Sequence, residues 1–198
     1  MRIVTLVSGG LDSSVMCSLL AREGYEQVPV FVDYGQLARE KEWNACRRVL
    51  RQLGLPRPMR VDLQGYGRTF ACGITSSHRR VFEDAFLPGR NMLFLLVGAA
   101  RAYQESCDAV AIGLLDPRSH LFGDQTSPFL RKAQEVLRSA LGIPVRVLAP
   151  LIRLNKAEVL ALAARLRVKG TYSCHAGGGR PCRVCISCRE ILGAAGAP

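Results

Sequence analysis

The sequence has no long apolar run: nothing in it approaches the roughly 20 residues that a membrane-spanning helix needs. Lysine is scarce, at four of the 27 Lys and Arg residues, and carboxylates number only 16, so the formal charge of +11 is an arginine charge. There is no internal repeat and no low-complexity linker. The lysine-bearing phosphate loop G-x-x-x-x-G-K-[ST] is also missing, which argues against a kinase or GTPase of that type. The first residues, Met1 to Val7, run into glycines too early for a signal peptide and read as a strand, so the expected compartment is the cytoplasm. At 198 residues, 48% apolar and 22% charged, the chain suits one domain whose core needs no disulfides. The positive surplus suits anionic partners as well as it suits a solvated arginine-rich face, and by itself decides nothing.

Apolar patterning alternates along the chain. Strands are expected over 3–7, 27–32, 57–62, 109–112 and 145–148, and helices over 12–23, 37–53, 91–105, 128–140 and 156–166. Such alternation specifies an α/β fold, a parallel five-stranded sheet with helices on both faces. Residues 65–89 read as a long polar loop or lid. From Tyr172 onward the chain is rich in Cys and Gly, and a division is expected into a main domain, 1–170, and a small separately stabilised C-terminal segment, 171–198, packed on it.

In an open parallel sheet the ligand site lies at the carboxyl ends of the strands. There the sequence sets Ser8, Gly9, Gly10, Leu11, Asp12, Ser13 and Ser14, directly after the first strand and opening the first helix. Outward backbone N–H groups at a helix N-terminus, with hydroxyls beside them, make an anion cradle. Asp12 is expected to hold Mg²⁺ or to cap the helix. A generic capped turn would need only one of these residues.

Eight cysteines in a cytoplasmic chain are unlike a disulfide framework. Cys17, Cys46 and Cys107 lie in apolar helical surroundings and read as small buried hydrophobes. Cys174, Cys182, Cys185 and Cys188, spaced C-x7-C-x2-C-x2-C, match four thiolates around one tetrahedral Zn²⁺, a closed structural site. An iron–sulfur cluster uses the same ligands, and redox-active thiols are the further alternative. His175 reads as a neighbour of this set and not as a ligand.

The spacing S-G-G-x-D-S resembles the pyrophosphate-binding loop of the N-type ATP pyrophosphatases, the PP-loop superfamily. With the cysteine set at the other end, the chain resembles the 7-cyano-7-deazaguanine synthase (QueC) family. "FVDYGQ" (31–36), "LPGRN" (87–91), "APLIRLNKAEV" (149–159) and "TYSCH" (171–175) resemble further family segments in one consistent order. The resemblance implies a Rossmann-like adenine nucleotide alpha hydrolase fold. It implies an enzyme that adenylates the carboxylate of 7-carboxy-7-deazaguanine with ATP and Mg²⁺, lets ammonia form the amide, then activates and dehydrates the amide to the nitrile. Ser8, Asp12, Ser13 and Arg90 are then the expected catalytic groups. The nucleotide and substrate would be held by Ser8 to Ser14 together with Phe31, Asp33, Tyr34, Gln36, Gly113, Asp124 and Lys156, with Zn²⁺ on the four cysteines. A homodimer is also implied.

Two departures are visible. Leu37-Ala38 stand where the family usually has Arg-His, and Gln125-Thr126 follow Asp124 where it has Cys-Arg, inside an altered segment spanning 113–129. These differences keep a second reading open: a diverged QueC-like ligase, of a kind found in antiviral gene clusters, that passes the adenylated deazapurine to another amine or to a protein partner. A tRNA-thiolating PP-loop enzyme and a zinc-knuckle RNA binder remain further alternatives. The first lacks a well-placed catalytic cysteine, and the second leaves the Ser8 to Ser14 turn without a use.

Overall fold

The computed structural model describes residues 1–116 and 122–195. Five strands, β1 (Arg2–Leu6), β2 (Glu26–Asp33), β3 (Met59–Asp62), β4 (Ala109–Ala111) and β5 (Arg146–Leu148), form one sheet in the order β3-β2-β1-β4-β5. Every pairing is parallel, with Val4 opposite Val28 on one side and Val110 on the other. The helices are α1 (Leu11–Arg22), α2 (Arg39–Gln52), α3 (Gln64–Thr69), α4 (Arg90–Gln104), α5 (Ser127–Leu141), α6 (Lys156–Arg165) and α7 (Ile186–Ala195).

The two-residue period of β1 divides the core. Ile3 and Val7 join Val15, Met16, Leu20, Leu50 and Val159 beneath α1, α2 and α6, whereas Val4 and Leu6 join Leu95, Ala99 and Leu137 beneath α4 and α5. Strands buried on both faces read as short continuous apolar runs, which is why they stand out in the sequence. The parallel five-stranded α/β expectation holds, with boundaries moved by one or two residues. Cys17, Cys46 and Cys107 are buried as expected, the first two beneath α1 and α2.

Residues 65–89 depart from the expected open loop. The segment begins inside the short helix α3 and then folds over the end of β2, burying Cys72, Ile74, Ala85 and Leu87 against Tyr34 as a third apolar cluster. Backbone bonds tie it down, from Leu37 N–H to the Ile74 carbonyl at 2.9 Å and from Gly73 N–H to the Asp84 carbonyl at 2.6 Å.

Candidate active site and cysteine cluster

Chain order reverses at β1: α1 leads toward β2 on one side, while β4 pairs with β1 on the other. At that switch point the carboxyl ends of β1 and β4 diverge and leave a cleft, the place where open α/β sheets bind ligands. The cleft has a volume of about 220 Å³. Its floor is the turn carrying Ser8, Gly10, Asp12 and Ser13; Tyr34 and Gln36 come from the end of β2, Arg90 and Asn91 from the start of α4, and Gly113 from the end of β4. Tyr172, Ser173, His175 and Ser187 close it from the C-terminal segment.

The turn is built around two positions without side chains. Gly9 takes φ +74°, and a Cβ there would lie 2.4 Å from both Cys46 N and the Glu42 carbonyl, so glycine is required for the turn to rest on α2. Gly113 lets the end of β4 approach the first turn of α1, its virtual Cβ standing 3.1 Å from Ser13 N. The N-cap of α1 is Gly10, with no side-chain cap, so Asp12 is not the expected capping residue and sits inside the first turn. Uncapped N–H groups at a helix start suit an anion. Ser8 N–H donates to Ser13 Oγ at 3.2 Å, the Ser8 and Ser13 hydroxyls stand 3.1 Å apart, and Gly10 N–H donates to Ser8 Oγ at 3.2 Å. The Leu11 N–H is taken by Ser173 Oγ of the C-terminal segment at 3.2 Å. Ser14 turns inward, its hydroxyl donating to the Gly10 carbonyl at 2.7 Å, and does not line the cleft.

Asp12 meets Lys156 across 144 residues of chain, the ammonium lying 2.9 and 2.8 Å from the two carboxylate oxygens. Lys156 also reaches Glu190 of α7 at 3.1 Å. Burial pulls the Lys156 ammonium toward its neutral form, but the Asp12 and Glu190 charges outweigh that and raise its pKa. Lys156 is therefore a buried, doubly paired cation behind the turn and not a free charge facing the ligand. Both Asp12 oxygens face that ammonium, while the carboxylate, 29% exposed, also lines the cleft.

Other expected residues divide between the cleft and the frame. Tyr34 lines the cleft, its phenol held protonated by burial, with Arg90 5.9 Å from its ring centroid. Gln36 is buried and fully engaged: its Oε1 accepts from Tyr34 N–H at 3.0 Å and its Nε2 donates to Glu42 at 2.9 Å. Phe31 and Asp33 are not brought to the cleft. Phe31 packs in the core against Trp43, ring centroids 5.3 Å apart, and fully buried Asp33 accepts from Arg60 at 2.6 Å. Asp124 lies in a short 3-10 turn, Gly123–Gln125, away from the cleft wall, and its carbonyl accepts from Asn91 Nδ2 at 3.0 Å. The N-cap of the following helix, α5, is Thr126, whose hydroxyl accepts from Phe129 N–H at 3.3 Å. Residues 117–121 of the altered segment lie outside the described residues.

Several cleft residues were not among the expected site residues, and two of them, Glu42 and His175, are buried titratable groups. Glu42, on the first turn of α2, is 8% exposed yet lines the cleft; burial pushes its carboxyl up to about 7 against the Gln36 N–H and the Arg90 charge, which pull it down. Burial likewise pulls the His175 imidazolium down to about 4, helped by Arg90 and Lys156, and its Nδ1 is buried without a hydrogen-bond partner. The only sequence signal for Glu42 was its place six residues after Gln36.

The sulfurs of Cys174, Cys182, Cys185 and Cys188 all lie within 4.8 Å of one another. Zinc–sulfur bonds of about 2.3 Å require sulfurs roughly 3.8 Å apart in a tetrahedron, so the set fits a tetrahedral metal. Backbone N–H groups of Cys182 and Cys185 point at the sulfurs of Cys174 and Cys182, at 3.4 and 3.3 Å, the outer-shell donation that stabilises thiolate ligands. The segment meets the rest of the chain at the cleft, through Tyr172 N–H on the Gly9 carbonyl at 2.9 Å, through Ser173 and through Glu190.

Comparison with known proteins then decides the family. A family model described as "Queuosine biosynthesis protein QueC" matches residues 2–194. The chain belongs to the QueC family. A QueC relative named 7-cyano-7-deazaguanine synthase 1, from Desulfitobacterium hafniense (strain Y51), is 32% identical over 96% of this chain and 89% of its own. Another 7-cyano-7-deazaguanine synthase, from a Nitratiruptor species, is 28% identical over 97% and 92%. Among solved structures, the U34-tRNA thiolase NcsA from Methanococcus maripaludis superposes with a TM-score of 0.61 at 19% identity, covering 97% of this chain and 64% of that one. The NH3-dependent NAD synthetase from Campylobacter jejuni gives 0.56 at 16%, covering 84% and 64%. These two share the fold of this QueC chain, a parallel sheet with helices on both faces. The QueC relatives are synthases, so the chain is an enzyme of that family; among its described residues no helix is long and apolar enough to cross a membrane.

Proposed function

We propose that the protein is an ATP-dependent C–N ligase that adenylates the carboxylate of 7-carboxy-7-deazaguanine and carries it, through the amide, to 7-cyano-7-deazaguanine. The observation that carries this reading is the start of α1, where the N-cap Gly10 brings no side chain and Ser8, Gly10 and Ser13 set hydroxyls and N–H groups at the sheet's switch point. The pyrophosphate of ATP would displace the internal Ser8–Ser13 and Ser8–Gly10 hydrogen bonds and occupy this cradle, held by the α1 dipole. Arg90 would then stand over the α-phosphate, stabilising the charge that develops as the carboxylate attacks and pyrophosphate leaves. Lys156 and Asp12 act one step back: the pair fixes the first turn of α1 so that its N–H groups are preorganised. Neither needs to hold Mg²⁺ for this role. Zinc on the four cysteines would supply structure only, holding Tyr172, Ser173 and His175 against the cleft. The main domain, 1–170, would thus carry the phosphate cradle and the segment 171–198 would complete its wall, in a protein working in the cytoplasm as a homodimer.

A specific observation favours a second reading, in which the adenylate is passed to another amine. Where the family pattern has Cys-Arg after Asp124, this chain spends Gln125 and Thr126 on local structure: Gln125 Oε1 accepts from Phe122 N–H at 3.3 Å, and Thr126 caps α5. These side chains are committed to the backbone and leave the base edge to other groups. Mass spectrometry of products formed from ATP, magnesium, ammonium and 7-carboxy-7-deazaguanine separates the two. Nitrile with about two AMP per product establishes the synthase, as two activations require. Amide or adenylate that goes no further, with about one AMP each, establishes the diverged ligase. No AMP release with this acid rejects both.

A further inference from the structure

The cleft holds one buried carboxyl that the phosphate cradle does not use. Asp33 and Asp12, the other carboxylates near it, each meet a cation at 2.6 to 2.8 Å. Among the described residues no Lys or Arg forms an ion pair with Glu42; its partner is the neutral amide of Gln36, at 2.9 Å. An acid buried without a cation keeps a proton or takes up a visiting cation. The nitrogen nucleophile of the proposed reaction is such a visitor, since ammonia in neutral water is almost wholly ammonium, which has no lone pair with which to attack.

We infer that Glu42, with Gln36 holding its carboxylate, forms an ammonium subsite in the cleft and removes a proton from the bound cation to release ammonia beside the acyl adenylate. This rests on the adenylation reading above. In the step, an N–H bond of ammonium breaks, its electron pair stays on nitrogen and the proton goes to the Glu42 carboxylate. That pair forms the C–N bond, the acyl C–O bond breaks with its electrons leaving on AMP, and the second surplus proton passes to water.

The surroundings suit such a group. Arg90 of α4 faces it and favours the carboxylate, Asp33 of β2 favours the acid, and the phenols of Tyr34 and Tyr172 and the thiol of Cys46 face it as neutral groups with raised pKa values. Burial dominates and leaves the carboxyl titrating near 7, where a base is both present and able to accept a proton. Glu42 lines the same cleft as Ser8 and Arg90, which places it beside the expected acyl phosphate.

The test uses the full-length, metal-loaded protein and Glu42→Gln, which keeps shape and hydrogen bonding. Acid-dependent ATP–pyrophosphate exchange reports adenylation and needs no nucleophile; C–N product is then measured with ammonium and with hydroxylamine, which is uncharged at neutral pH. The expected result is that product formed per exchange event falls about 100-fold with ammonium, the usual worth of a positioned base, and recovers with hydroxylamine. An equal fall with both nucleophiles, or no fall, overturns the inference. The wild-type protein gives a check independent of the variant's folding. At fixed total ammonium the rate should rise to a plateau above pH 7, whereas an enzyme capturing free ammonia from solution should keep accelerating toward the pKa of ammonium. Absence of exchange in the wild-type protein would instead reject the adenylation reading itself.

Discussion

Gly9 shows at the scale of one residue how the turn is fixed by what it lacks. Its φ of +74° and the 2.4 Å approach of its virtual Cβ to two α2 backbone atoms forbid a side chain on both counts. Gly9→Ala should cost about 2 kcal/mol or more of folding stability from the strained dihedral and the collision together, measured by urea unfolding. It should also abolish ATP–pyrophosphate exchange, because the Ser8 and Gly10 N–H groups move with it. Lys156 makes the complementary case. Lys156→Gln leaves Asp12 and Glu190 without their shared cation, a loss of roughly 3 to 5 kcal/mol for a fully buried pair. The carboxylates are 29% and 34% exposed, so about 2 kcal/mol is the expected cost once screening is allowed for. Adding Asp12→Asn should return part of it, and a double-mutant cycle showing no coupling would refute the pair's importance. Neither Lys156's partners nor Glu42's burial could be read from sequence. The ion pair joins residues 144 apart, and Glu42 stands in "REKEW" among charges that look solvated until α2 is laid against Gly9.

At the scale of elements, all five strands were legible: β1, β2 and β4 are apolar runs buried on both faces, and the half-buried edge strands β3 and β5 fall in the alternation between helical patterns. Five helices were legible because their apolar residues recur at three and four. α3 and α7 were not. α3, "QGYGRT", carries two glycines and no apolar stripe, so its helicity comes from packing under Tyr34 and the 65–89 excursion. α7 begins one residue after Cys185 and carries Cys188, so its sequence signal is the metal spacing and not a helical period. The elements also show why the cysteine segment matters to catalysis: α7 supplies Glu190 to Lys156, and the strand of chain before it supplies Ser173 to the Leu11 N–H. Loss of the metal should therefore be felt at the phosphate cradle. Chelation, or Cys185→Ser, is expected to raise amide hydrogen exchange at both 172–188 and 8–14 and to weaken ATP binding at least tenfold by calorimetry. If only the C-terminal peptides respond, the segment is the independent unit that its composition first suggests.

For the molecule as a whole, charge located the site poorly, since the +11 is spread widely and much of it lies away from the cleft. Arg47, Arg48, Arg51 and Arg57 line a separate surface groove at the far end of α2. What distinguishes the cleft is a buried acid, and that has a global consequence. Glu42 holds its proton up to about pH 7 in the folded protein, against an ordinary value of 4.5 when the chain is unfolded. Below 4.5 both states are protonated and the residue contributes nothing to pH dependence. Between 4.5 and 7 the unfolded chain ionises while the folded one does not, so the unfolded state binds fewer protons and stability falls as pH rises. At about 1.4 kcal/mol per unit the total is roughly 3 kcal/mol, complete above about pH 7. Acid drives metal off thiolate ligands and so acts in the opposite sense, so the raw profile mixes the two. The difference between wild type and Glu42→Gln isolates the carboxyl: from about pH 5 to 8, in the metal-loaded protein, the wild type should lose about 2 to 3 kcal/mol relative to the variant in urea unfolding. A flat difference would mean that Glu42 is already ionised at low pH in the fold, and the cleft would then hold a fixed negative charge in place of a base that titrates where the enzyme works.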